Sequence, residues 1–287
     1  MSNWIQTLLG FGEEPKKDEF NGFALCVGLN AVSPDAYEGW DGQLNACEND
    51  ANAMSHYLQS KGFHTTVLLT KAATRDNVLG KLGELAALAK PGDTVCFTNS
   101  SHGGQVPDYD GTETDGMDET ICMFDGQIID DELEAAWAKF KPGVRVIFVS
   151  DSCHSGTVAR AMFSDHDRML NTTPGSKAMP QVVQSSIIVS QDTKLRDRKA
   201  SAQRSHTDIT ATVLAMGACQ DSQTAMDGSI NGAFTGALLA TMRRYSGYSF
   251  GRVVTEIRRA LPPSQTPSYT YAGPRNAAFE SAAAFSI

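Results

Sequence analysis

Short apolar runs alternate with stretches of helical spacing through the first half of the chain. Phe23 to Leu29, His64 to Thr70 and Thr94 to Thr98 read as strands, with helices near Leu44 to Lys61 and Thr74 to Lys90 between them. That alternation predicts βαβ units and a parallel sheet. The punctuation agrees. Gly62 follows the first helix, Thr74 is placed to cap the second, and Pro91-Gly92-Asp93 ends that helix ahead of the next strand. Beyond it come an acidic, glycine-rich stretch from Asp108 to Glu119, an apolar piece from Ile121 to Phe124, a helix near Asp130 to Lys139, and a strand from Val144 to Val149 that stops at Asp151. The strand pattern resumes at Ala211 to Ala218, followed by helices near Ala233 to Tyr245 and Phe250 to Ala260 and a short strand around Ser268 to Tyr271. The expected architecture is one α/β domain over residues 21–287, a mostly parallel central sheet of about six strands with helices on both faces, preceded by an N-terminal tail over residues 1–20. Between about Phe163 and Thr207, a polar and basic composition predicts a long insertion, interrupted by a strand-like piece from Gln184 to Val189.

Composition narrows the function. The 287 residues carry 24 Lys plus Arg against 33 Asp plus Glu, a formal charge of −9. Phosphate recognition draws its affinity from basic surface, so nucleic acid is not an expected partner. At 41% apolar and 20% charged residues, the chain can fill a sizeable core. No apolar run approaches the ~20 residues needed to cross a bilayer. The N-terminal cluster Trp4, Ile5, Leu8, Leu9 and Phe11 is too short for that and lacks a basic start, so a soluble, cytoplasmic protein with no membrane partner is expected. Six cysteines, at 26, 47, 96, 122, 153 and 219, form no CxxC pair, which argues against both a disulfide framework and a zinc finger. Cys26 and Cys96 sit within apolar strand runs, and only Cys153 has small, polar company.

Two segments stand where apolar strands end: Ser100-Ser101-His102-Gly103-Gly104 and Asp151-Ser152-Cys153-His154-Ser155-Gly156. Open parallel sheets bind ligands at the carboxyl ends of their strands, so neighbouring strands would bring both segments to one crevice. A cysteine attacks a carbonyl carbon as thiolate, and an imidazole can take its proton and return one to the leaving amine. His102 and Cys153 supply that pair. Glycine after the strand lets the N–H groups of Gly103 and Cys153 converge on the oxygen that becomes negative. The competing reading is a buried structural cysteine and a satisfied histidine, which either residue alone would favour.

At these residues the chain resembles the caspase-like cysteine peptidases, and within them the metacaspases and their prokaryotic relatives, the orthocaspases. Further motifs carry the resemblance: Cys47-Glu48-Asn49-Asp50-Ala51 opening a helix, and Gln220-Asp221-Ser222-Gln223-Thr224-Ala225 followed by Gly232-Ala233-Phe234-Thr235. The resemblance implies a caspase-like fold, a His/Cys dyad endopeptidase working through an acyl-enzyme, and cleavage after Arg or Lys. Protein or peptide substrates with a basic residue at the cut are the partners so implied. Electrostatics points the same way. Asp50, Asp151 and Asp221 each follow or end an element that should point toward the crevice, and carboxylates there would hold a guanidinium or ammonium while repelling an acidic side chain. In metacaspases the matching aspartates line the first specificity pocket. Ser152 would contribute a backbone group near it. No third residue orienting His102 stands out, which leaves a backbone carbonyl for that task.

The resemblance also implies a surface calcium site, with Asp118, Asp130 and Asp131 matching three of its ligands and Arg160 standing where a fourth carboxylate would be. That charge reversal opposes a divalent ion, and the proposed chemistry requires no cofactor. The acidic loop itself does not fit an EF-hand and reads as solvated. Seven basic residues of the insertion, Arg168, Lys177, Lys194, Arg196, Arg198, Lys199 and Arg204, offer sites at which a peptidase of this specificity could cut its own chain. The alternative from another functional class is a catalytically silent interaction or regulatory module. A monomer is the expected state.

Overall fold

The computed structural model describes residues 21–109, 111, 116–153, 175–204, 208–219, 223 and 225–287. In chain order the elements are β1 (Gly22–Gly28), α1 (Cys47–Ser60), β2 (Phe63–Leu69), α2 (Arg75–Leu88), β3 (Thr94–Ser100), β4 (Gly103–Pro107), β5 (Met117–Met123), β6 (Gly126–Ile129), α3 (Asp130–Trp137), β7 (Arg145–Asp151), α4 (Gln181–Arg204), β8 (Thr212–Gly217), α5 (Ala233–Arg244), α6 (Phe250–Ala260), β9 (Ser268–Ala272) and α7 (Ala277–Ser281). Six strands form the central sheet in the order β2-β1-β3-β7-β8-β9, parallel except for β9, which runs antiparallel to β8. β4, β5 and β6 make a separate antiparallel sheet. Helices covering both faces explain why the central strands read as continuous apolar runs. On one face Ala51, Met54 and Leu58 of α1 pack with residues of α5 and α6, and on the other Val78, Leu82 and Leu85 of α2 pack with Leu133 and Trp137 of α3.

Helix α6 has the clearest amphipathic spacing. It buries Phe250, Val253, Val254 and Ile257 and turns its arginines outward, each buried side chain contributing about 1.5–3 kcal/mol. The Thr74 hydroxyl accepts a hydrogen bond from Asn77 N–H at 3.2 Å and caps α2. Gly92 turns the chain at φ +94°, a conformation that favours glycine, before β3.

Two expectations are corrected. Gln184 to Val189 is not a strand, because it lies within helix α4, which buries Gln184, Ile187, Leu195, Lys199 and Ala202 along one side. The acidic stretch is not simply solvated either: Asp118 is 1% exposed and is paired with the Lys199 ammonium from α4. Among the described residues, no helix is long and apolar enough to cross a membrane. All six cysteines are free and buried.

Candidate active site

Strand register brings the two polar segments together. Ser100 of β3 pairs with Asp151 of β7, and each chain runs two residues further, to His102 and Cys153. A Cβ on Gly103 would strike the Cys153 carbonyl oxygen, so only glycine allows this approach of the two backbones. Asp50 reaches the same place from the first turn of α1, which rests on the end of β1. That turn lacks a side-chain cap of its own. Instead Asp227 accepts from the Asn45 and Ala46 N–H groups at 2.7 and 3.3 Å, and Asn30 Oδ1 accepts from Glu48 N–H.

His102 is 4% exposed and lies against Trp40, ring centroids 4.6 Å apart. Its Nε2 is 3.1 Å from the Gly42 carbonyl oxygen, which makes that nitrogen the N–H donor, while buried Nδ1 has no hydrogen-bond partner among the described residues. Burial, opposed by the Gly42 bond and reinforced by the Lys177 charge, lowers its pKa from 6.5 to about 4. The unfolded chain therefore binds this proton at a higher pH than the folded one. The resulting stability is present in full above pH 6.5 and is lost as pH falls toward about 4, a difference on the order of 3 kcal/mol. A His102→Gln chain should lack that part of the decline in a denaturant-midpoint series across this window.

Cys153 is fully buried. Its Sγ accepts from Ala225 N–H at 2.8 Å and lies 3.3 Å from the Ala225 carbonyl oxygen. Burial first, then a hydrogen bond with the Cys219 thiol, push its pKa well above the ordinary thiol value, so sulfur is protonated in this closed arrangement.

The hole beside Cys153 is filled by the chain itself. After a turn at Gly175, residues Ser176 to Met179 lie as an extended segment between residues 225–227 and Gly103. Lys177 N–H donates to the Ala225 carbonyl at 3.0 Å, Asp227 N–H to Gly175, and Met179 N–H to Gly103 at 2.8 Å. The Gly103 N–H donates to the Lys177 carbonyl oxygen at 2.9 Å. The wholly buried Lys177 ammonium sits 3.1 Å from Asp151 Oδ1, 3.2 Å from Asp50 Oδ2 and 2.9 Å from Ser100 Oγ. Burial alone would depress its pKa, but the Asp151 and Asp50 charges outweigh that and raise it.

The carboxylates are held in turn. Asp50 accepts from Asn231 Nδ2 and Gly232 N–H at 2.9 Å and from Ser100 Oγ at 2.7 Å, and Asp151 accepts from the Thr235 hydroxyl at 2.7 Å and its N–H at 3.1 Å. The Ser152 hydroxyl bonds that of Ser150 at 2.7 Å. Asp221 and His154 lie outside the described residues. Lys177 was only one of seven basic candidates in the sequence, and Ser100, Asn231, Trp40 and Gly42 had no role there. Gly232 and Thr235 belong to the motif Gly232-Ala233-Phe234-Thr235, whose pattern alone assigns them none. A Cβ on Gly232 would meet Asp151 Oδ2 at 2.5 Å and the ammonium closer still, so only glycine leaves room for the cation here.

Asp118 (β5), Asp130 and Asp131 (α3) also come together, with ligand oxygens within 4.8 Å of one another. They lie on another part of the molecule, and Lys199 stands among them.

The arrangement, a mostly parallel sheet with a cysteine and a histidine at adjoining strand ends, is that of a caspase-like α/β fold. The chain belongs to the caspase-domain family, whose model matches residues 21–279, and is a cysteine-type peptidase. It is 31% identical to metacaspase-1A of Aspergillus fumigatus, over 88% of this chain and 68% of that one. To metacaspase-1 of Schizosaccharomyces pombe it is 32% identical, over 81% and 60%. A solved Geobacter sulfurreducens protein superposes with TM-score 0.82 at 42% identity, covering 93% of this chain and 99% of that one. Caspase-1 of Spodoptera frugiperda shares the fold, with TM-score 0.56 at 13% identity and coverage of 89% and 88%.

Proposed function

We propose that the protein is an endopeptidase cleaving after Lys or Arg, with Cys153 as nucleophile and His102 as general base and acid. The observation that carries this reading is Lys177, whose side chain occupies the acidic hole while its carbonyl oxygen accepts from Gly103 N–H. That is the posture of a substrate residue on the acyl side of the cut. Two buried carboxylates match either a lysine ammonium or a guanidinium, and would leave an acidic side chain repelled and unpaired. Asp221 joins this set as part of the same proposal.

The chemistry follows from the groups in place. The Gly42 carbonyl fixes Nε2 as the protonated nitrogen, so Nδ1 carries the lone pair. A neutral imidazole accepts the Cys153 proton as sulfur forms its bond to the carbonyl carbon. The negative charge then develops on the oxygen held by Gly103 N–H. Collapse breaks the C–N bond, the imidazolium returns its proton to the amine, and water releases the acyl group by the reverse route.

Fluorogenic peptides ending in Arg, Lys or Asp test the reading. Turnover of the first two only, reduced by about 10³-fold or more in Cys153→Ala, is expected. Cleavage after Asp would end the specificity proposal. The silent-module alternative draws on the filled hole. It would be favoured if an arginyl covalent inhibitor labelled Cys153 no faster than the other five cysteines.

A further inference from the structure

The acidic cluster away from Cys153 has the donor set of a hard-cation site. Calcium takes 6–8 oxygens at about 2.3–2.6 Å, and carboxylates from β5 and α3 gather here. The centre, however, is taken. Lys199, itself 1% exposed, donates to Asp118 Oδ1 and Oδ2 at 2.7 and 2.6 Å and to Asp108 Oδ1 at 2.9 Å, and lies 3.3 Å from Asp131 Oδ2. These partners come from the end of β4, from β5 and from α3, so one ammonium ties three elements to α4. An ion bonded to the same oxygens would stand in contact with that ammonium, which like charges in a buried site do not tolerate. The residues as arranged therefore do not fit a divalent ion.

We propose that Lys199 is the resident cation of this cluster, a tethered ammonium that holds α4 against β5 and α3 in place of a metal ion and excludes calcium while it is there. Its neighbours support a clamp at this end of α4. Arg198 pairs with Glu132 of α3, which Arg75 of α2 also engages, and Asp192 accepts from the Tyr109 hydroxyl at 2.8 Å. Because α4 begins shortly after Lys177, the clamp would also retain the segment downstream of that residue if the chain were cut there. Nothing in the clamp itself depends on the peptidase reading.

Calorimetric calcium titration and melting temperature, each with calcium and with chelator, test this on the full chain. The wild type should bind no calcium at about 1 mM and melt at the same temperature in both conditions. Lys199→Met, which removes the charge and keeps the stem, should melt lower in chelator, bind one calcium at least tenfold more tightly than the wild type, and recover its melting temperature on binding. Lys199→Gln repeats the test if the Met chain does not fold, and a variant that folds only with calcium supports the proposal equally. Saturable calcium binding by the wild type at or below about 1 mM overturns it, as does failure of both variants to gain binding or calcium-dependent folding.

Discussion

Protein held under assay conditions is expected to be cut between Lys177 and Ala178, yielding a fragment whose first residue is Ala178. The bond is already presented: the Lys177 carbonyl oxygen rests on Gly103 N–H, the ammonium fills the Asp50–Asp151 hole, and the Ala178 N–H donates to Ser176 Oγ at 3.1 Å. Five of the other basic residues counted in the same stretch, Lys194 to Arg204, lie on α4, where a helical backbone cannot be laid out along a cleft as an extended substrate. Arg168 lies outside the described residues. The cut should be slow. Cys153 is protonated and bonded to the Ala225 backbone, so sulfur must first leave that partner. Intact-mass and N-terminal analysis over time check the site. Cys153→Ala should reduce the rate by about 10³-fold or more, and Lys177→Arg should preserve it. Lys177→Gln should abolish it and also destabilise the fold by about 3–5 kcal/mol, because two buried carboxylates lose their counter-ion. A rate independent of protein concentration identifies cleavage within one chain. A fragment beginning elsewhere would remove Lys177 from the argument.

What could be read in advance and what could not divide along a physical line. The His102 and Cys153 segments each follow a seven-residue strand made recognisable by its burial on both sides, and the parallel pattern places such ends at one edge. Asp50 was legible because α1 begins beside it. The posture of Lys177 was not, because it depends on pairing with Ala225 and Gly103, residues far away in sequence, and nothing local separates this lysine from the other basic residues of the insertion. Gln184 to Val189 resembles a strand because Ile187, Ile188 and Val189 are β-branched, yet the side of α4 that packs inward recurs at helical spacing. Two of its buried positions, Gln184 and Lys199, are polar, which hid the period, and tertiary contacts overrode local preference. The pairing of the acidic stretch is hidden for the same reason: the cation that neutralises Asp118 lies 81 residues away.

Asp151→Asn should cost basic substrates about 10²–10⁴-fold in kcat/KM, provided the measurement is made on enzyme already cut after Lys177. The proviso matters. In the uncut chain the Lys177 ammonium competes for the same oxygens, so a change that weakens substrate weakens the competitor equally, and the two effects cancel in the apparent constant. Once that competition is gone, removing one carboxylate from a buried, charge-assisted pair forfeits about 3–5 kcal/mol, and 1.36 kcal/mol corresponds to a factor of ten. The asparagine keeps an oxygen for the Thr235 N–H and hydroxyl, which limits damage to the start of α5. Alkylation of Cys153 by a small neutral reagent should then proceed within about threefold of the parent rate, because nucleophile and base are untouched. Equal losses for a basic peptide, a neutral peptide and the neutral alkylating reagent would mean that Asp151 supports the structure around Cys153 instead of selecting the substrate. A loss confined to basic peptides, with neutral ones gaining in relative rate, is the result expected of a hole whose depth and charge were built for a cation.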